Sequence, residues 1–243
     1  MVNLNQEEIS LLNKQFEPAH PAKVLEWVST NFRIGDIAMA TGFGAEGVVI
    51  VDMIASVNKG IPIFYLDTDV LFPETYVLRD RLEEKYGIRL IRYATPISLE
   101  QQAKLHGANL WESNPDLCCN IRKVEPLREA LKNYFGWITA VRREQSPGRS
   151  NAGLVEWDKR FNLLKINPLA GWTKKEVWKY IVDHEVPYNP LYDSGYASIG
   201  CTHCTTPVAA GEDDRAGRWR GFQKKECGLH VIDPQNREER PNA

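Results

Sequence analysis

Hydrophobic positions along the 243-residue chain fall into short solid runs separated by longer stretches of helical spacing. Short continuous apolar runs bounded by turn residues suit strands buried on both faces, and apolar residues every third or fourth position suit one-sided helices. On this basis the first thirty or so residues are helical, with Leu11, Leu12, Val24, Leu25, Trp27 and Val28 as apolar faces. "DIAMA" (36–40) is a short buried strand, followed by "TGFGAEG" and the apolar helix "VVIVDMIASV". "IPIFYL" (61–66) is a second strand, and Pro73 suits the first turn of a helix in which Leu78, Leu82 and Tyr86 recur every fourth residue. "IRLIRY" (88–93) is a third strand, "VEPLREALKNY" a helix with Val124, Leu127 and Leu131 on one face, and "GWITAV" (136–141) a fourth strand. Thr173 and Glu176 form a capping-box signature at the start of the helix "WTKKEVWKYIVDH".

Strands alternating with helices predict an α/β fold, a mostly parallel sheet with helices on both faces. Ligands of such sheets sit beyond the C-terminal strand ends, which here carry the loops 41–47, 67–72 and 142–149. The small residues of "TGFGAEG" let backbone N–H groups approach an anion at a helix N-terminus. The loop lacks a Walker-type lysine and the GxGxxG spacing, so by itself it reads equally as a tight turn. "RREQSPGR" places Arg142, Arg143 and Arg149 at a strand end, where guanidinium forks suit phosphate or sulfate oxygens, although a solvated charged loop is the plainer reading.

Composition narrows the partners. With 43 % hydrophobic and 26 % charged residues and a net charge of −2, the chain is an ordinary globular one. The charge balance gives no reason to expect a nucleic-acid or membrane-surface partner. The start, "MVNLNQEEISLLNKQ", has no positive n-region or apolar run, and no later stretch has bilayer length, so a cytoplasmic location is expected. In a reducing compartment an odd count of five cysteines argues against a disulfide scaffold and for metal or redox chemistry.

Cys118 and Cys119 are adjacent, and Cys201 and Cys204 form a C-x-x-C. Two thiolates from each of two distant segments make a four-thiolate site for zinc or an iron–sulfur cluster. The C-x-x-C alone could be a redox pair, which leaves the adjacent pair unexplained. The fifth cysteine, Cys227, lies in the polar segment "FQKKECGLHVID" and is free for chemistry; Lys224, Lys225 and His230 favour its thiolate and Glu226 opposes it.

Seven short elements stand in one order: "FGAEG", "LDT" with "FPETY", "CC" with "RKVEPL", "RREQS", "NPLYDSGYASIGCTHC", "RAGRW" and "KKECGLH". In them the chain resembles the assimilatory adenylyl-sulfate (APS) reductases of the phosphoadenylyl-sulfate (PAPS) reductase family. The resemblance implies an adenine nucleotide alpha-hydrolase-like fold over residues 1–211, followed by a mobile C-terminal segment, 212–243, carrying the nucleophile. It implies a [4Fe-4S] cluster on Cys118, Cys119, Cys201 and Cys204, since members restricted to PAPS lack both cysteine pairs. It implies that Cys227 attacks the sulfur of APS, expelling AMP, and that thioredoxin or glutaredoxin then releases sulfite. The substrate-binding set carried over is Thr41, Gly42, Phe43, Gly44, Leu66, Asp67, Thr68, Lys123, Arg142, Arg143, Arg149, Arg215, Arg218 and His230, with Arg215 and Arg218 expected on one helical face. A homo-oligomer is left open.

Four positions depart from the family pattern: Gly42 for serine, Gly47 for a polar residue, Asp69 for the glycine of "LDTG", and Ala140 for glycine. Asp69 would disfavour a further phosphate if it faced the ligand. Two other readings compete: a related PAPS or dual-substrate reductase or nucleotide-dependent sulfurtransferase, and a non-enzymatic zinc or iron–sulfur redox sensor. The sulfurtransferase would need a better pyrophosphatase loop than "TGFGAEG", and the sensor leaves Cys227 unused.

Overall fold

The structure, a computed structural model, describes residues 4–224 and 226–230. The expected N-terminal helical region is two helices, α1 (Gln6–Phe16) and α2 (Pro21–Asn31). Asn5 and Glu8 close a capping box on α1, and Pro21 occupies the first turn of α2, where its missing N–H costs nothing. Then follow β1 (Ile37–Thr41), α3 (Ala45–Val57), β2 (Ile63–Asp67), α4 (Pro73–Tyr86) and β3 (Leu90–Ala94). The middle of the chain is helical: α5 (Leu99–His106), α6 (Leu110–Ser113), α7 (Pro115–Cys119), a π turn (Asn120–Val124) and α8 (Glu125–Leu131). Strands β4 (Gly136–Ile138), β5 (Val155–Asp158) and β6 (Leu163–Ile166) and helix α9 (Lys174–Asp183) complete the regular elements.

The sheet runs β3-β2-β1-β4-β6-β5, parallel except for β5, which pairs antiparallel with β6. Strand alternation divides it between two cores. Ile37, Met39, Ile63, Tyr65, Ile138 and Ile166 face α1 to α4 and α9, whereas Ala38, Phe64, Trp137 and Leu163 face Leu127, Ala130 and Leu131 of α8. Helix α3 is buried along nearly its whole length. Its buried acid, Asp52, accepts hydrogen bonds from Tyr86 Oη at 2.8 Å and Tyr180 Oη at 2.6 Å, so the carboxylate is satisfied.

Two expectations need correction. β4 ends at Ile138, three residues before the predicted limit. The β5–β6 hairpin was not expected, because Val155–Asp158 alternates over only four residues and Lys165 breaks the apolar run of β6; the buried Lys165 is paired across the strands with Glu156 at 2.7 Å. No described helix is long and apolar enough to cross a membrane. The tail from residue 231 lies outside the described residues.

The chain leaves β1 in one direction, to β2 and β3, and later returns on the other side of β1 to place β4. This reversal opens a crevice at the C-terminal ends of β1 and β4, the usual ligand position in an open α/β sheet.

Candidate active site

A cavity of about 410 Å³ occupies that crevice. Its floor is the turn after β1. Thr41 Oγ1 accepts a hydrogen bond from Phe43 N at 3.2 Å, Gly44 leads into α3 without a side-chain cap, and Ala45 N donates to Tyr192 Oη at 3.0 Å. Thr41, Gly42 and Gly44 line the cavity, but Phe43, in the left-handed region at φ 58°, turns its ring into the core against Tyr65. Phe43 therefore shapes the loop and its ring does not face the cavity.

At the end of β2, Leu66 and Thr68 line the cavity and Asp67 does not. The Asp67 carboxylate accepts from Arg92 Nε at 2.6 Å and Tyr76 Oη at 2.7 Å. Burial alone would raise its pKa, but these partners hold it below the usual carboxylate range. Asp67 is thus a structural acid beneath the loop.

The adjacent cysteines end α7, and the π turn follows at once. This single wide turn inside a helix is a frequent device at functional sites, because it re-aims the side chains it carries. Arg122 goes inward and is 1 % exposed, while Lys123 reaches the cavity. Cys201 is buried opposite, tied to the loop after β2 by a Leu71–Cys201 bridge and by Thr202 N donating to Val70 O at 2.9 Å. Thr68 Oγ1 lies 3.3 Å from Cys201 Sγ. Burial would push the Cys201 thiol up, but the Lys123 ammonium, the Thr68 hydroxyl and Arg218 bring it below its ordinary value. Burial and neighbouring thiols push Cys118 and Cys204 up to about 11, and burial pushes Cys119 to about 11 despite Lys123. Removal from water would favour a neutral Lys123 amine, but the Cys201 and Cys227 sulfurs keep its pKa raised. The two cysteine pairs thus meet beside a cationic group at one edge of the cavity. Among the described residues, no three His, Cys, Asp or Glu side chains converge tightly enough for a single ion.

The three arginines after β4 separate. Arg142 lines the cavity, 4 % exposed, with Nε donating to Glu46 Oε1 at 2.8 Å. Arg149 lines it too, with Nη2 donating to Glu226 Oε2 at 2.8 Å. Arg143 points the other way, chelating Glu17 of the segment after α1 and donating from Nε to Ala152 O at 2.9 Å. It is a cross-link between segments and does not face the cavity.

Arg215 and Arg218 both reach the cavity, but not from a helix: residues 214–217 are turns, and Arg218 forms an antiparallel bridge with Thr205, just after the C-x-x-C. Gly217 packs so closely on Thr206 that an added Cβ would lie 2.0 Å from Thr206 O, so the position requires glycine. Arg218 lies 4.5 Å over the Trp219 ring and donates to Ser198 Oγ at 3.3 Å.

Residues 226–230 form a short strap along the cavity wall. Cys227 faces the cavity. Gly228 O accepts from Arg160, Leu229 packs on the Trp137 and Leu127 cluster, and His230 stacks on Trp137 at 5.3 Å between centroids and 18° between planes. The His230 ring is only partly covered, yet its Nδ1 has neither solvent contact nor hydrogen-bond partner. Burial, followed by the nearby cations Arg149, Lys165, Arg215 and Arg160, pushes its pKa well below the ordinary histidine value. The sequence reading missed Tyr192 as a site residue, although its motif "NPLYDSGYASIG" was in view; nothing in the pattern shows that a tyrosine from a turn-rich segment would bond the α3 N-terminus.

The sequence match decides the family. The model of the phosphoadenosine phosphosulfate reductase domain matches residues 36–207, more than half of the chain. The chain belongs to the phosphoadenosine phosphosulfate reductase family. It is similar to the adenosine 5'-phosphosulfate reductase of Salinibacter ruber, 48 % identical over 224 residues that cover 92 % of this chain and 88 % of that one. A crystal structure of phosphoadenylyl-sulfate reductase from Candida auris, in complex with phosphate, superposes with a TM-score of 0.75 at 36 % identity, covering 85 % of this chain and 99 % of that one. FMN adenylyltransferase of Candida glabrata shares the fold alone, with a TM-score of 0.59 at 13 % identity over 85 % of this chain and 68 % of that one.

Within this reductase family the departures at the nucleotide side become intelligible. Asp69 faces away from the cavity, taking the left-handed conformation at φ 59° that a glycine adopts without strain. Its carboxylate bridges Arg92 Nη2 at 3.1 Å and Arg122 Nη1 at 2.9 Å. Gly47 is required by space: an added Cβ would lie 2.8 Å from Thr41 Oγ1. An added Cβ at Gly42 would meet nothing within 4 Å, so space does not require glycine there.

Proposed function

We propose that this member of the reductase family reduces adenylyl sulfate to sulfite and AMP, with Cys227 as nucleophile. The observation that carries this reading is the position of Cys227 on the wall of the strand-end cavity, together with Lys123, Arg149, Arg215 and Arg218. Four cations around one thiol offset the repulsion between an anionic nucleophile and a phosphosulfate. The Cys227 thiolate attacks the sulfur; a bond from Sγ to that sulfur forms, the sulfur–oxygen bond breaks, and AMP leaves with its electron pair. A dithiol protein, thioredoxin or glutaredoxin, then attacks Sγ. Sulfite departs with the electron pair, and the second thiol of the reductant resolves the mixed disulfide. The nucleotide would rest on Thr41, Gly42, Gly44, Leu66 and Thr68, with Arg142 and His230 at its margins.

The donor set at the cavity edge fits an iron–sulfur cluster: four soft thiols from two segments, three of them buried, flanked by Lys123, Arg122 and Arg218 that offset the negative charge of a thiolate-ligated cluster. Cys118, Cys119, Cys201 and Cys204 would hold a [4Fe-4S] cluster, and the chemistry it supplies is electrostatic, polarising the Lys123 side of the site. The strap opens to present the sulfonated cysteine to the reductant. The expected setting is the cytoplasm, where protein dithiols are kept reduced.

Adenylyl sulfate is favoured over its 3'-phosphorylated form because the relative that is 48 % identical over 92 % of this chain is an adenosine 5'-phosphosulfate reductase. Parallel turnover of both substrates with thioredoxin tests the reading. Sulfite release with a higher kcat/KM on adenylyl sulfate is expected, and exclusive turnover of the 3'-phosphorylated substrate would overturn the preference.

A further inference from the structure

The arginines that face the cavity are not equally available. Glu226, the residue before Cys227, places its carboxylate among them. Oε2 accepts from Arg149 Nη2 at 2.8 Å and from Arg215 Nη2 at 3.1 Å, while Oε1 accepts from Ser146 Oγ at 3.1 Å. The Glu226 side chain is 23 % exposed, and those of Arg149 and Arg215 are 9 % and 17 % exposed. One carboxylate is thus enclosed by two guanidinium groups and a hydroxyl. This is the donor set that a sulfate or phosphate oxyanion would take. Arg149 Nε beside it is buried with no acceptor, so the site has donor capacity that the two carboxylate oxygens do not use. The bonding hydrogens cannot serve Glu226 and a ligand at once.

We infer that Glu226 is a tethered competitor that determines which anions this pocket accepts. The inference rests on the reading of the cavity as a phosphosulfate site and adds a specificity residue to it. A tethered group acts at an effective concentration in the millimolar range for short flexible links. A free oxyanion such as inorganic sulfate or phosphate has only its own charge with which to displace the carboxylate. A nucleotide-linked oxyanion is also held by the floor of the cavity at Thr41, Gly42 and Gly44, and so displaces it at lower concentration. The placement has a second consequence. An anion that takes Glu226's partners does so one residue from Cys227, so the exchange occurs beside the nucleophile. The rest of the strap stays held meanwhile, through Leu229, through His230 on Trp137, and through the ion pair of Lys224 with Asp116.

The test is a calorimetric titration of the full-length, anaerobically purified protein with inorganic sulfate and, separately, with AMP, at constant ionic strength. Wild type is compared with Glu226→Gln and Glu226→Ala. Removing the competitor is expected to tighten sulfate binding by about tenfold or more and to narrow the gap between sulfate and AMP. A merely structural role predicts the opposite sign, because a damaged pocket binds anions more weakly. Sulfate affinity that is unchanged or lower in both variants, with the far-ultraviolet dichroism of wild type, would overturn the inference. Failure of wild type to release sulfite from adenylyl sulfate would instead defeat the assigned reaction, and the sulfate titrations would still judge Glu226.

Discussion

Asp69 shows how a single residue can be legible in kind and illegible in direction. The sequence marks it as an acid where the family has glycine, a possible repulsion for the ligand. The structure turns it toward Arg92 and Arg122. Arg122 is 1 % exposed, and its other partners, Gln102 Oε1, Thr68 O and Ile97 O, are all neutral. Asp69 therefore supplies the countercharge of a buried guanidinium that sits next to Lys123. Asp69→Asn keeps the shape and tolerates φ 59° while removing that charge. Its expected cost is about 1–3 kcal/mol, read as a lower denaturant midpoint at unchanged slope, and an unchanged midpoint would contradict the pairing. The same distinction separates the arginines: Arg142, Arg149, Arg215 and Arg218 reach the cavity, but Arg143 does not. Residue type alone cannot tell them apart, because the partner of Arg143 is Glu17, far away in sequence.

Among the elements, the parallel strands β1, β2 and β3 and the helices between them follow directly from apolar runs and, for α4, from Pro73 in its first turn. The β5–β6 hairpin does not, because a buried lysine paired across strands has no sequence signature. The strap is a further case. Its residues look like a polar tail, yet Leu229 and His230 find apolar partners in Trp137 and Leu127, which only the fold brings together. This docking makes the strap pH-dependent. His230 is held neutral when docked, faced by Arg149, Lys165, Arg215 and Arg160, and its pKa there lies well below that of a solvated histidine. The undocked strap binds the proton more readily, so docking is at full strength above about pH 6.5 and weakens below it, by about 1.4 kcal/mol per unit until the docked pKa is reached. Hydrogen exchange of the strap amides, corrected for intrinsic rates, should show protection falling as pH drops from about 7.5 to about 5.5. Flat protection, or protection that rises, would refute the coupling.

At the scale of the whole molecule, two segments far apart in sequence close the site: α7 with its π turn on one side, and the stretch from Cys201 to Arg218 on the other. The cysteine pairs announce this meeting in the sequence, because no other use of four thiols so spaced is as economical. The turns at 214–217 and the bridge of Arg218 to Thr205 are not announced, since they go with close backbone packing of Gly217 on Thr206. If a cluster joins the two sides, Cys201→Ala should lose iron, lose sulfite release, and expose residues 195–224 to proteolysis while the sheet stays intact. Iron per chain, turnover and limited proteolysis read these together. A variant without iron that retains full turnover would show that the cluster is dispensable.

The assignment of Cys227 as the nucleophile is tested most directly by intact-protein mass spectrometry after incubation with adenylyl sulfate in the absence of any thiol reductant. The account predicts one equivalent of AMP released per chain and one added SO3 group, located by peptide mapping on Cys227, absent in Cys227→Ser and discharged as sulfite by thioredoxin. Sulfite release by Cys227→Ser, or an adduct on any other residue of the wild-type chain, would contradict it.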